Sequence, residues 1–93
     1  MIAIKTKKID GCLEGTNVKD ILLSDAISQE FIEKIAILGK LIFYEDLQKP
    51  FFKVIVKGKY TIKGSIGNKS IRVVLPKEDN PQYFQDLIDF ING

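Results

Sequence analysis

The sequence contains no histidine and a single cysteine, Cys12. Without histidine it lacks the commonest general base and the commonest metal ligand. Ser-His-Asp and Cys-His catalysis, and every His-containing zinc site, are therefore excluded. One thiol rules out an internal disulfide and a Cys-only metal site within one chain. Neither GxGxxG nor Walker A spacing occurs, and Gly64-x-x-Gly67 reads as turn punctuation. No apolar run approaches the roughly 18 residues that a membrane helix needs. The segment MIAIKTKKID lacks the charged-then-apolar order of a signal peptide. These absences predict a cytoplasmic, non-enzymatic protein with no cofactor and no metal.

Two remaining reactive features are weak. Glu30/Glu33 and Asp86/Asp89 lie one helical turn apart and read as solvated acid pairs, with acid/base or metal use as the alternative. Cys12 sits in a Gly-flanked loop with no cation beside it in sequence to lower its pKa. It reads as incidental, the alternative being a reactive, metal-linking or intermolecular thiol.

What is present is an ordinary globular composition. The 93 residues are 45% hydrophobic and 28% charged, which predicts one domain spanning 1–93. The net charge of +2 conceals a strong asymmetry. Residues 1–9 carry three Lys, and residues 10–48 carry eight acids against three Lys. Residues 49–77 hold seven Lys and Arg72 with no acid, giving +8, whereas residues 78–93 hold four acids and no cation.

The basic stretch FFKVIVKGKYTIKGSIGNKSIRVVLP, residues 51–76, alternates apolar and polar side chains. Phe52, Val54, Val56, Tyr60 and Ile62 share one parity, and Lys53, Lys57, Lys59, Thr61 and Lys63 the other. A three-residue loop at Lys57–Lys59 pairs Val56 with Tyr60, Val54 with Ile62 and Phe52 with Gly64. A two-residue loop there would set apolar residues opposite lysines, so face consistency selects the first register. Gly67-Asn68 reads as a two-residue hairpin with Gly67 in a II′ first position. It pairs Lys63 with Arg72, Ile62 with Val73 and Thr61 with Val74. Phe52 should then lie over the bare Gly64.

The flanks give the remaining elements. Residues 1–9 read as a strand, placed at an edge or beside the strand at 41–45. Asp10-Gly11 signals a turn, and Thr16-Asn17 caps a short helical turn over Val18–Leu23. Ile27, Phe31, Ile35 and Leu38 predict a helix over 25–38, capped by Ser24 or Asp25 and stopped by a left-handed Gly39. Asn80-Pro81 opens a second helix whose stripe is Phe84, Leu87, Ile88 and Ile91. The expected fold is α+β: an antiparallel sheet of four to five strands, with the meander at 51–76 and two helices packed on one face.

That register creates one oddity on the uncovered face. Lys53, Lys63 and Arg72 fall side by side across three strands, roughly 5 Å apart. Opposed like charges at about 4 Å in water repel by on the order of 1 kcal/mol. Splayed, solvated lysines that discourage edge pairing explain such a row without any ligand. An anion- or partner-binding face explains it as well, with Lys57 and Lys59 at one end, Lys49 nearby, and Phe51, Ile55 and Val74 as apolar contacts. The function read from this pattern is a small protein-binding or self-assembly module that uses the basic face of its sheet. The alternative is nucleic-acid or polyanion binding through the same cation row, although no repeated stacking aromatic or RNP consensus supports it.

Overall fold

The computed structural model describes residues 2–9, 16–44, 50–76 and 81–93. In chain order its elements are β1 (Ala3–Ile9), β2 (Thr16–Leu23), α1 (Gln29–Ala36), β3 (Lys40–Tyr44), β4 (Phe51–Val56), β5 (Tyr60–Ser65), β6 (Ser70–Pro76) and α2 (Pro81–Asn92). The six strands form one sheet in the order β1-β2-β6-β5-β4-β3, antiparallel throughout. The fold is α+β as expected, with six strands rather than four or five. The expected turn at Asp10-Gly11, Cys12, Lys49 and the Asn80 cap lie outside the described residues.

The alternation at 51–76 settles into the expected register. Phe52 faces Gly64, Lys53 faces Lys63, Val54 faces Ile62 and Val56 faces Tyr60. Across the next ladder Ile62 faces Val73 and Lys63 faces Arg72. Gly58 takes a φ of 79°, and Lys59 N donates to Val56 O at 3.0 Å to close the first turn. The Gly67-Asn68 turn differs from expectation. Asn68 N donates to Ser65 O, so Gly67, at φ 91°, is the third residue of the turn, as in type II rather than II′. Neighbours explain the wider turn: Ile66 N donates to Pro50 O, and Gly67 N to Ile27 O.

Three further expectations are corrected. Val18–Leu23 is not a helical turn but the inner strand β2, bonded to β1 on one side and β6 on the other. A strand with partners on both sides overrides the weak capping signal at Thr16-Asn17. Residue 25 is likewise not in a helix, and α1 begins at Gln29 with Ser28 as its N-cap, accepting from Phe31 N at 3.2 Å. The backbone before it is already engaged: Ser24 N donates to Ile2 O and Ile27 N to Asn68 O. Gly39 has no positive φ; instead a Cβ there would overlap the Ile55 carbonyl oxygen, so the glycine lets β3 lie tightly on β4.

The core lies between one sheet face and both helices. Phe31, Ile32 and Ile35 of α1 and Phe84, Leu87 and Ile91 of α2 join Phe52, Val54, Ile62, Ile71 and Val73 of the sheet. An eight-residue helix is too short to persist alone, so burial of its apolar stripe must hold α1 in place. Phe52 does cover Gly64: a Cβ on the glycine would stand 2.8–2.9 Å from the ring. Cations also cross this side, with Lys19 Nζ 4.5 Å from the Phe84 ring centre and Lys34 Nζ 5.5 Å from that of Phe90. Among the described residues no helix is long and apolar enough to cross a membrane.

Candidate binding face

Among the described residues both helices lie on one face of the sheet and none on the other, and strand register fixes what that open face presents. Its central row runs Lys7, Asp20, Arg72, Lys63, Lys53 and Ile42 from β1 to β3. A second row runs Ile9, Val18, Val74, Thr61, Ile55 and Lys40. A third has two halves, Lys5–Leu22–Ser70 and Ser65–Phe51–Tyr44. Eight of these 18 positions are apolar, six are cations and only Asp20 is acidic, a net of +5.

The expected cation row is therefore present but longer, and it contains a carboxylate. Arg72 donates from Nε to Asp20 Oδ1 at 2.9 Å and from Nη2 to Oδ2 at 3.3 Å, a forked ion pair. Lys63 and Lys53 stand directly opposed, and neither has a carboxylate within ion-pair reach among the described residues. Asp20, Lys63, Arg72, Ser65, Ser70 and Phe51 line a shallow depression of about 350 Å³. A smaller one of about 240 Å³ continues from it towards β1, lined by Lys5, Lys7, Asp20, Leu22 and Ser70.

Apolar groups flank the charged row on both sides. Ile55 and Val74 lie on either side of Thr61, and Val18 is buried on this same face between Ile9 and Val74. On the other flank the rings of Tyr44 and Phe51 approach to 5.5 Å at an interplanar angle of 41°. Leu22 and Tyr44 are each about 40% exposed.

Two of the expected site residues, Lys57 and Lys59, line a further depression of about 420 Å³ together with Ile55, Thr61 and Val74, at the end of the face. Lys57 and Lys59 occupy the β4–β5 turn, beyond the row, and Lys59 Nζ sits 5.2 Å from the Tyr83 ring of α2. Sequence reasoning misses Asp20 and Leu22, because Val18–Leu23 reads as a helical turn, and Lys7, because residues 1–9 read as a strand at an edge or beside 41–45 rather than next to β2. The signal for Asp20 and Leu22 was the parity split of β2, with Val18, Asp20 and Leu22 against Lys19, Ile21 and Leu23. Three consecutive apolar residues at its end obscured that alternation.

The face holds hydroxyls, cations and one paired carboxylate. Among the described residues no three His, Cys, Asp or Glu side chains gather to hold a metal ion. This arrangement suits recognition by charge and apolar contact. Comparison of the chain with family models, curated proteins and solved structures finds no match.

Proposed function

We propose that the chain is a small non-enzymatic, cytoplasmic binding module that docks an acidic, partly apolar protein surface on the open face of its sheet. The observation that carries this reading is the composition of the three open rows: eight apolar side chains around six cations, with one acid. Protein interfaces combine an apolar and aromatic centre with charges that set register and partner choice. Opposed Lys53 and Lys63 disfavour the folded state slightly, and a partner carboxylate between them would relieve that repulsion. An acidic partner suits this face better than a second copy of it, because +5 would meet +5.

Nucleic-acid binding is the second reading, favoured by the Tyr44–Phe51 ring pair beside Lys53. Against it, the forked bond to Asp20 occupies Arg72 and places a carboxylate within any phosphate track. The two readings separate in one titration series. A labelled peptide of glutamates interspersed with leucines, and a labelled dT homopolymer, are titrated at low and at physiological salt. The peptide should bind more tightly than the oligonucleotide, and Lys53→Glu with Lys63→Glu should abolish its binding. An oligonucleotide that binds more tightly, with a salt slope of about −1.5 to −2 from two to three phosphates, would favour the second reading. If neither probe binds at low salt, the protein-binding reading fails.

A further inference from the structure

The two edges of the sheet are protected very differently. β1 is bulged between Ala3 and Lys5 and carries Lys5, Lys7 and Lys8, a combination that blunts edge-to-edge pairing. β3, KLIFY, pairs regularly with β4 along its whole length and carries one charge, Lys40, at its end. Leu41 and Phe43 pack on the helix side while Ile42 and Tyr44 share the open face, so both sides of this edge strand are apolar. Just before it in the chain, Ile37 is 79% exposed at the end of α1. Among the described residues no strand pairs with the outer side of β3, and an apolar edge with unpaired backbone groups is a template for another strand.

We infer that β3 pairs antiparallel with β3 of a second copy, joining two sheets into one of twelve strands. The strand is self-complementary in the register that overlaps all five residues. Ile42 then faces Ile42 of the second copy, Leu41 faces Phe43, and Lys40 faces Tyr44 instead of another lysine. Each open face continues into the other, because paired residues have the same parity. This dimer is independent of the binding proposed for the open face, and either can fail without the other. Five residue pairs bury less than the roughly 1,200 Å² of a standard interface, which places the dimer in the weak, transient class.

Sedimentation equilibrium with a thiol reductant, which prevents linkage through Cys12, tests this. The wild-type mass should rise from 10.5 kDa towards twice that value as concentration increases. Tyr44→Lys places two lysine pairs across the junction and should weaken dimerisation about tenfold. Tyr44→Glu places glutamate against Lys40 at both ends and should dimerise at least as tightly as wild type. Both variants lose the Tyr44–Phe51 ring contact, so their difference reads the cross-junction charge alone. A wild type that stays monomeric to about 1 mM, or variants that behave alike, would overturn the inference. In wild type, hydrogen exchange of alternate β3 amides should slow as concentration rises. Concentration-independent exchange would overturn it equally.

Discussion

Replacing Asp20 with asparagine should weaken the fold and strengthen binding at once. Asparagine keeps the shape and one acceptor for Arg72 but removes the charge. The pair is forked, at 2.9 and 3.3 Å, yet its side chains are 52% and 27% exposed. An exposed pair of good geometry contributes about 1 kcal/mol at most. Removing the Asp20 charge also leaves less of the repulsion between Arg72 and Lys63 offset, which at about 5 Å in water adds up to 0.8 kcal/mol. Both side chains can splay, so about half of that applies. The expected loss is about 1–1.5 kcal/mol at low salt, falling below about 0.5 kcal/mol at 1 M, where screening acts within about 3 Å. Urea denaturation at both salt concentrations measures it. Over the same change the face rises from +5 to +6, and the acidic peptide should bind about three- to fivefold more tightly at low salt. A stability loss unaffected by salt would refute the electrostatic account of the pair. Weaker peptide binding would refute the role of net positive charge on the face.

Core and face should respond separately to truncation. Ile62→Ala, at a fully buried site, should cost about 2–5 kcal/mol, measured by urea denaturation. Ile55→Ala on the open face should cost under about 0.5 kcal/mol while weakening peptide binding. Gly64→Ala should cost about 1–3 kcal/mol, because its Cβ would press on the Phe52 ring in a filled core. Tyr60 gives an alkaline prediction. Burial chiefly, then the Asp86 carboxylate, raises its pKa above 10.0. Between that value and the higher folded one, only the native state keeps the phenolic proton, so stability should be full below pH 10 and decline above it. Tyr60→Phe should reduce that decline, as measured by denaturation midpoints across the alkaline range.

The fold was legible where side-chain parity and turn geometry agreed. From Phe51 to Pro76 a one-residue slip would have turned lysines into the core, so one register survived and the Lys53–Lys63–Arg72 row followed from it. α2 was legible because Pro81 and a stripe ending at Ile91 supplied both its start and its buried face. β2 was not legible. Its β6 partners lie 48 or more residues away, as at Leu22 and Ser70, and nothing local announces such a pairing. The misreading hid Asp20, so the cation row seemed to lack a counter-charge. The start of α1 was misplaced for a related reason. Ser24 and Asp25 are good caps in isolation, but long-range backbone bonds to Ile2 and Asn68 claim that segment first. The Gly67-Asn68 turn shows the same override, with contacts from Pro50 and Ile27 opening a turn whose register the sequence had specified correctly.

Amide chemical-shift mapping of the ¹⁵N-labelled protein, titrated with the glutamate–leucine peptide at low salt, tests the binding face most directly. The account predicts shifts concentrated on Asp20, Phe51, Lys53, Ile55, Lys63, Arg72 and Val74, while the amides of α1 and α2 stay still. Shifts confined to the helices or to the Lys57–Lys59 turn, or none at all, would contradict it.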